Sequence, residues 1–120
     1  MKNEQKRFVV IVILVIIFLA LLLNKNEKFS SHPVFKMYYT NWCGYSQQAL
    51  PEFEALGNEV ISDSGQIIKI QKVDCEVDKS VCINANIEGY PTIRLEDGTL
   101  SKEYEGARKT EKMLEFLKEQ

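Results

Sequence analysis

Residues Phe8 to Leu23, FVVIVILVIIFLALLL, form a run of sixteen residues with no polar atom in any side chain. Such a run has no face to turn toward water, so it belongs in a bilayer, a deep core or a segment that is removed. As a helix it would cover about 24 Å at ~1.5 Å per residue, short of the ~30 Å hydrocarbon core. Lys6, Arg7 and Lys25 at its ends can snorkel, and a small mismatch is tolerated. The basic start also fits a secretory signal peptide. Against cleavage, the run is long for an h-region, and Leu21-Leu22-Leu23-Asn24-Lys25 offers no small-x-small site. A buried globular helix fits continuous Val, Ile and Leu with basic flanks poorly. The expectation is an uncleaved transmembrane signal-anchor helix over 8–23. A short basic tail (1–7) precedes it and a polar tether (24–33), including the sole histidine His32, follows it. Residues 34–120 remain for one folded domain.

Charge is unevenly spread. Of 15 basic and 17 acidic residues, Lys2, Lys6, Arg7 and Glu4 precede the apolar run, leaving 12 basic against 16 acidic. A mildly acidic remainder has no electrostatic footprint for nucleic acid. Three basic residues before the run against Lys25 and Lys28 after it lean toward a cytoplasmic N-terminus. The domain would then face the lumenal, extracellular or virion-surface side of a single-pass membrane protein. Three cysteines are too few for a secreted disulfide scaffold, and His32 is far from any cysteine pair, so no metal site is expected.

Beyond the tether, strands and helices alternate. Val34–Tyr39 reads as a buried strand. Ala49, Leu50, Phe53, Leu56 and Val60 follow helical spacing, with Pro51 expected to kink the helix and Gly57-Asn58 to end or loosen it. Gln66–Asp74 reads as a second strand, and a short helix is expected between Asp74 and Ile87. Thr92–Glu96 and Ser101–Tyr104 flank Asp97-Gly98, a strong hairpin pattern. Met113, Leu114, Phe116 and Leu117 then form the inward stripe of a last helix. The predicted order is β-α-β-α-β-β-α, with the first two strands parallel and the hairpin at an antiparallel edge.

Trp42-Cys43-Gly44-Tyr45-Ser46 stands where the first strand ends and its helix begins. Unpaired N–H groups and the positive end of the helix dipole would face the Cys43 sulfur. That environment favours the thiolate, which is the nucleophile of disulfide chemistry. Ser46, one turn on, can offer a hydroxyl hydrogen bond but no disulfide. Taken alone, the pattern also suits an ordinary buried cysteine. Gly89-Tyr90-Pro91-Thr92 precedes a later strand, where a proline can be cis or form a plain trans turn.

Together these stretches resemble the thioredoxin superfamily, in particular a protein disulfide isomerase-type thioredoxin domain. Trp42-Cys43-Gly44-Tyr45-Ser46 is similar to that family's Trp-Cys-Gly-His-Cys. Pro51-Glu52-Phe53 is similar to its helix-kinking Pro-Glu-Phe, and Gly89-Tyr90-Pro91-Thr92 to its cis-proline loop. Tyr104-Glu105-Gly106-Ala107-Arg108 resembles the Tyr-x-Gly-x-Arg run before the last helix. The resemblance implies a thioredoxin-like α/β fold with a mixed sheet and flanking helices, and no cofactor. Cys43 would be the nucleophile, Ser46 a thiolate stabiliser, and Trp42, Gly44, Tyr45, Tyr90 and Pro91 the client-binding edge. The fold is expected to be trimmed, because only the polar tether stands where the family's first strand and helix would lie.

The resemblance also implies a structural disulfide between Cys75 and Cys82. Within one regular helix the two would lie ~10.5 Å apart, beyond disulfide reach, so a bridge needs Cys75 at the end of the preceding strand. Closing so short a loop would stabilise by roughly 2–3 kcal/mol in the chain-entropy model. In a reducing compartment the pair would remain free thiols. Three departures stand out. Ser46 replaces the second cysteine, Met37 replaces a buried carboxylate that serves it, and Arg108 matches an arginine that tunes it, leaving Arg108 an expected structural role. The implied function is membrane-anchored thiol–disulfide exchange on protein clients bearing disulfides or thiols, as isomerisation or as client retention through mixed disulfides at Cys43. A non-catalytic thioredoxin-fold binding module at a membrane is the alternative. Cys43-Gly44-Tyr45-Ser46 also resembles the Cys-Gly-Phe-Ser of monothiol glutaredoxins, which bind an iron–sulfur cluster with glutathione. Trp42 and the Gly-Tyr-Pro-Thr loop fit that family less well, and no Gly-Gly stands near the C-terminus.

Overall fold

The computed structural model describes residues 2–23 and 32–120. The chain divides into two compact units, Met1–Ser30 and Ser31–Gln120. Most of the expected tether, residues 24–31, lies outside the described residues.

In the first unit, helix α1 runs Lys2–Leu23, and none of its residues is buried. It starts well before the apolar run, because Lys2, Glu4, Gln5, Lys6 and Arg7 are all good helix formers. Its 22 residues cover about 33 Å, the added turn and a half carrying polar and charged side chains beyond the end of the sixteen-residue apolar run. With a mean hydropathy of 2.9 over its most apolar stretch, α1 is long and apolar enough to cross a membrane.

The second unit contains β1 (Val34–Tyr39), α2 (Gly44–Glu54), β2 (Glu59–Ile61), β3 (Ile67–Asp74), α3 (Lys79–Asn84), β4 (Thr92–Asp97), β5 (Leu100–Glu103) and α4 (Thr110–Lys118). The strands form one mixed sheet in the order β2-β3-β1-β4-β5. β1 at its centre pairs parallel with β3, with Val34 opposite Lys69 and Tyr39 opposite Asp74. All other pairings are antiparallel. This is the thioredoxin-like α/β architecture, with one short strand more than the expected order.

That strand corrects the reading of Val60 as helical. α2 ends at Glu54 and Gly57 takes a φ of +81°, a left-handed conformation that suits glycine and turns the chain back. Val60 then pairs with Ile68. Both assignments bury Val60, so burial alone did not separate them. The hairpin turn comprises Gly98-Thr99, since Asp97 pairs with Leu100. Only Gly98 has positive φ (62°), the requirement of a type II′ turn.

Alternation along β1 creates two cores. Phe35 and Met37 are fully buried on one face, with Ile68 and Ile93 from neighbouring strands. Ala49 and Phe53 of α2 and Met113 and Leu117 of α4 close over them. Phe35 stacks on Phe53 at 5.6 Å and meets Tyr104 edge-on at 5.9 Å. Leu114, expected inward, is instead exposed, because the apolar stripe of α4 narrows to Met113, Phe116 and Leu117. On the other face Tyr38, Val73, Cys75 and Cys82 form a second, smaller core. One short helix, α3, packs there.

Candidate functional site

Cys43 is the N-cap of α2, with φ −79° and ψ 122°, and it has no side-chain cap. The turn before it is held at Asn41 by two hydrogen bonds. Gln47 Nε2 donates to the Asn41 carbonyl at 2.7 Å, and Asn41 Nδ2 donates to Asp74 Oδ2 at 3.0 Å. Cys43 is half-buried and is the free cysteine among the described residues. As a thiol it donates toward the Tyr90 carbonyl, with Sγ 3.6 Å away. As a thiolate it is surrounded by donors. The Ser46 backbone N–H is the chief influence holding its pKa below the ordinary thiol value of 9.0. The Tyr45 N–H, the Ser46 hydroxyl and the charge of Arg108 add to this, against the cost of desolvation.

Ser46 is fully buried beneath this thiol. Its Oγ accepts from the Thr40 N–H at 3.4 Å, which leaves its own proton free to turn toward sulfur. Thr40 Oγ1, also buried, has no hydrogen-bond partner among the described residues. Met37 is fully buried in the larger core, so no carboxylate reaches this region from β1.

The Tyr90–Pro91 peptide is cis. It brings the Tyr90 carbonyl to Cys43 and the Tyr90 ring edge-on to Trp42, with centroids 6.1 Å apart. Pro91 is buried, whereas Trp42 and Tyr45 are each 68% exposed. Trp42, Cys43, Tyr90 and Pro91 therefore meet. Gly44 is the exposed first residue of α2, and Tyr45 lines a cleft of about 400 Å³ with Gln48, Tyr104 and Arg108. A second cleft of about 440 Å³ runs from Glu88 past Pro91 to Arg94 and Arg108. Arg108 lines both clefts and donates to the Pro91 carbonyl at 3.5 Å. Beside the mainly structural role expected of it, its charge is the least of the influences that lower the Cys43 pKa.

Cys75 follows β3 directly and Cys82 lies in α3. They are joined by a disulfide with Cα atoms 5.7 Å apart. Among the described residues, no group of three or more His, Cys, Asp or Glu side chains is arranged to hold a metal ion.

Two contacts had no warning in the sequence. Thr110 opens α4, and its N–H donates to Glu52 Oε2 at 2.8 Å. Its hydroxyl lies 2.7 Å from the same carboxylate and 2.8 Å from the Glu52 carbonyl. A carboxylate of α2 thus caps α4, a pairing across the fold that no local capping pattern announces. The second contact is Thr40 N–H to Ser46, a backbone donor that spacing does not reveal.

A family model described as "Thioredoxin" matches residues 22–119. The chain belongs to the thioredoxin family. Among curated relatives, this thioredoxin-family chain is 34% identical over 90 residues to "Protein disulfide-isomerase 1" of Dictyostelium discoideum. It is 39% identical over 87 residues to "Thioredoxin domain-containing protein 5 homolog" of Drosophila melanogaster. These alignments cover 72% and 70% of the chain but 24% and 21% of the relatives, so it spans about a quarter of their length. Among solved structures, the first two thioredoxin domains of Naumovozyma dairenensis Eps1p match with a TM-score of 0.63 and 27% identity, over 72% of this chain and 34% of that one. The zinc-bound form of human ERp44 matches with a TM-score of 0.61 and 25% identity, over 71% and 25%.

Proposed function

We propose that this thioredoxin-family chain is a membrane-anchored monothiol exchange protein. One observation carries the reading: a half-buried cysteine at a helix N-terminus, facing the cis-proline loop, has a serine where a second thiol would have to stand. The Cys43 thiolate attacks one sulfur of a client disulfide, forming a Cys43–client disulfide and releasing the client's other sulfur as thiolate. Ser46 cannot displace the client, so release falls to a second thiol from the client, glutathione or another protein. That chemistry suits isomerisation or retention of clients rather than net oxidation. The similarity to protein disulfide isomerases supports the client class, and the length and apolarity of α1 support the anchor. The Cys75–Cys82 bridge is structural in this reading, and its oxidised state suits a domain on the lumenal or extracellular side.

Cells expressing the wild-type chain and Cys43→Ser, quenched with acid and alkylated, would be compared for mixed disulfides on non-reducing gels. Wild type is expected to carry client adducts and Cys43→Ser none. Adducts that survive the substitution would sink the proposal.

A second reading, a non-catalytic binding module, is favoured by the exposed Trp42 and Tyr45, which offer apolar contact without any thiol. Full biological activity of Cys43→Ser would select it.

A further inference from the structure

The two cores divide the site between them. α2 supplies the N–H groups that face the Cys43 sulfur, and Ala49 and Phe53 fix it in the larger core. The wall opposite the sulfur belongs to the smaller core, against which Ala85, Ile87 and Tyr90 pack. Two of that core's four buried residues are the bridged cysteines themselves.

Helix α3 has little else to hold it. It is six residues long, and its N-cap Asp78 makes no side-chain hydrogen bond. Isolated helices of that length are marginal at best. Val81 is 43% and Ile83 73% exposed, so Cys82 is its one buried residue. The buried side-chain attachment of α3 to the sheet therefore centres on Cys82 and its bond to Cys75 at the end of β3, with Ala85 at its C-cap packed beside it. The segment after α3 is held at that point at one end and by β4 at the other, where Thr92 pairs with Tyr38 and Arg108 donates to the Pro91 carbonyl. The Ile87 N–H donates to the Cys82 carbonyl at 3.1 Å, and Arg94 donates to the Ala85 carbonyl. Tyr90 follows three residues later, with its carbonyl at Cys43 and its ring at Trp42.

We propose that the Cys75–Cys82 bridge is a positioning element for client capture, holding the Tyr90–Pro91 wall against the client-facing side of Cys43 while the opposite core governs the thiol itself. This rests on the reading of Cys43 as the exchange nucleophile. A small disulfide needs only the sulfur, whereas a polypeptide needs the sulfur and the wall together. Loosening the wall penalises the polypeptide selectively.

The test uses the full chain in detergent micelles, as wild type and as Cys75→Ala/Cys82→Ala, in which Cys43 is the sole sulfur nucleophile. Three rates are measured: alkylation by iodoacetamide across pH, exchange with bis(2-hydroxyethyl) disulfide, and exchange with a short peptide whose single cysteine carries the same hydroxyethylthio group. The double variant is expected to keep the alkylation midpoint and the small-disulfide rate while its peptide rate falls roughly tenfold, the scale of a modest misplacement of reacting groups. Ile87→Ala, which leaves the bridge closed, is expected to shift the same ratio less. Should the double variant show no cooperative thermal transition, Ile87→Ala decides on the same readouts. An unchanged peptide-to-small-disulfide ratio overturns the positioning role and leaves the exchange reading intact. Loss of all three readouts together also overturns it, because the bridge would then hold the whole domain. A wild-type protein that reacts with the peptide no faster than with the small disulfide removes client capture itself, a failure of the earlier reading.

Discussion

Cys43 owes its character to backbone more than to side chains. The Ser46 N–H leads, the Tyr45 N–H follows, and the Ser46 hydroxyl and Arg108 come after. A lowered pKa means that the thiolate persists to lower pH, so alkylation should reach half-maximal rate below the ordinary value of 9.0. Ser46→Ala removes one donor to the thiolate and nothing from the thiol, so its midpoint should move up. It should stay below the ordinary value, because both N–H groups remain. A Ser46→Ala midpoint equal to or below that of wild type would show that the hydroxyl does not face the sulfur. Alanine fits the buried space of Ser46 but removes the acceptor of the Thr40 N–H, so a thermal melt of Ser46→Ala accompanies the titration to show that the domain is folded.

At the scale of elements, the link between α2 and α4 carries the clearest pH signature. The Thr110 hydroxyl and N–H, and then Lys109, hold the Glu52 carboxylate below its ordinary value of 4.5. A carboxylate depressed on folding contributes its stability above the unfolded pKa and loses it as pH falls through the folded one. Thermal melts from neutral pH down through 4.5 and below should show the wild-type domain losing stability more steeply than Glu52→Gln. Parallel curves would separate Glu52 from acid sensitivity. This cap was not legible in the sequence, since Glu52 and Thr110 are far apart along the chain and neither forms a local capping pattern. Elements with a strong internal period were legible: β1, β3, and the β4–β5 hairpin with glycine at its turn. Val60 was misread because one inward valine after a glycine is compatible with either period. Gly106 in the Tyr-x-Gly-x-Arg run became intelligible only from packing. A Cβ there would stand 2.6 Å from the Tyr104 hydroxyl, which itself donates to the Ala107 carbonyl.

For the whole molecule, α1 and the thioredoxin-family domain make separate physical demands. The sixteen apolar side chains Phe8–Leu23 of α1 are all exposed, a surface that hydrocarbon would cover. Carbonate extraction at high pH should leave the full chain in the membrane pellet and move a chain lacking residues 2–23 to the supernatant. Recovery of the full chain in the supernatant would remove the anchor. The apolar run was plain in the sequence, but its helical extension to Lys2 was not, because hydropathy stops where the charges begin. Within the domain, local spacing alone placed Cys43 before a helix. The meeting of that helix with the Tyr90–Pro91 loop depends on strand order, β1 lying between β3 and β4, and came from the family resemblance. Trp42 is the single tryptophan of the chain, and it stands mostly exposed against the Tyr90 edge beside the sulfur. The protein therefore carries its own optical reporter at the point of interest. Its emission should dim as the neighbouring sulfur ionises and shift to the blue when a polypeptide covers the indole, so that thiol titration and client docking become two separable colours of one unlabelled sample.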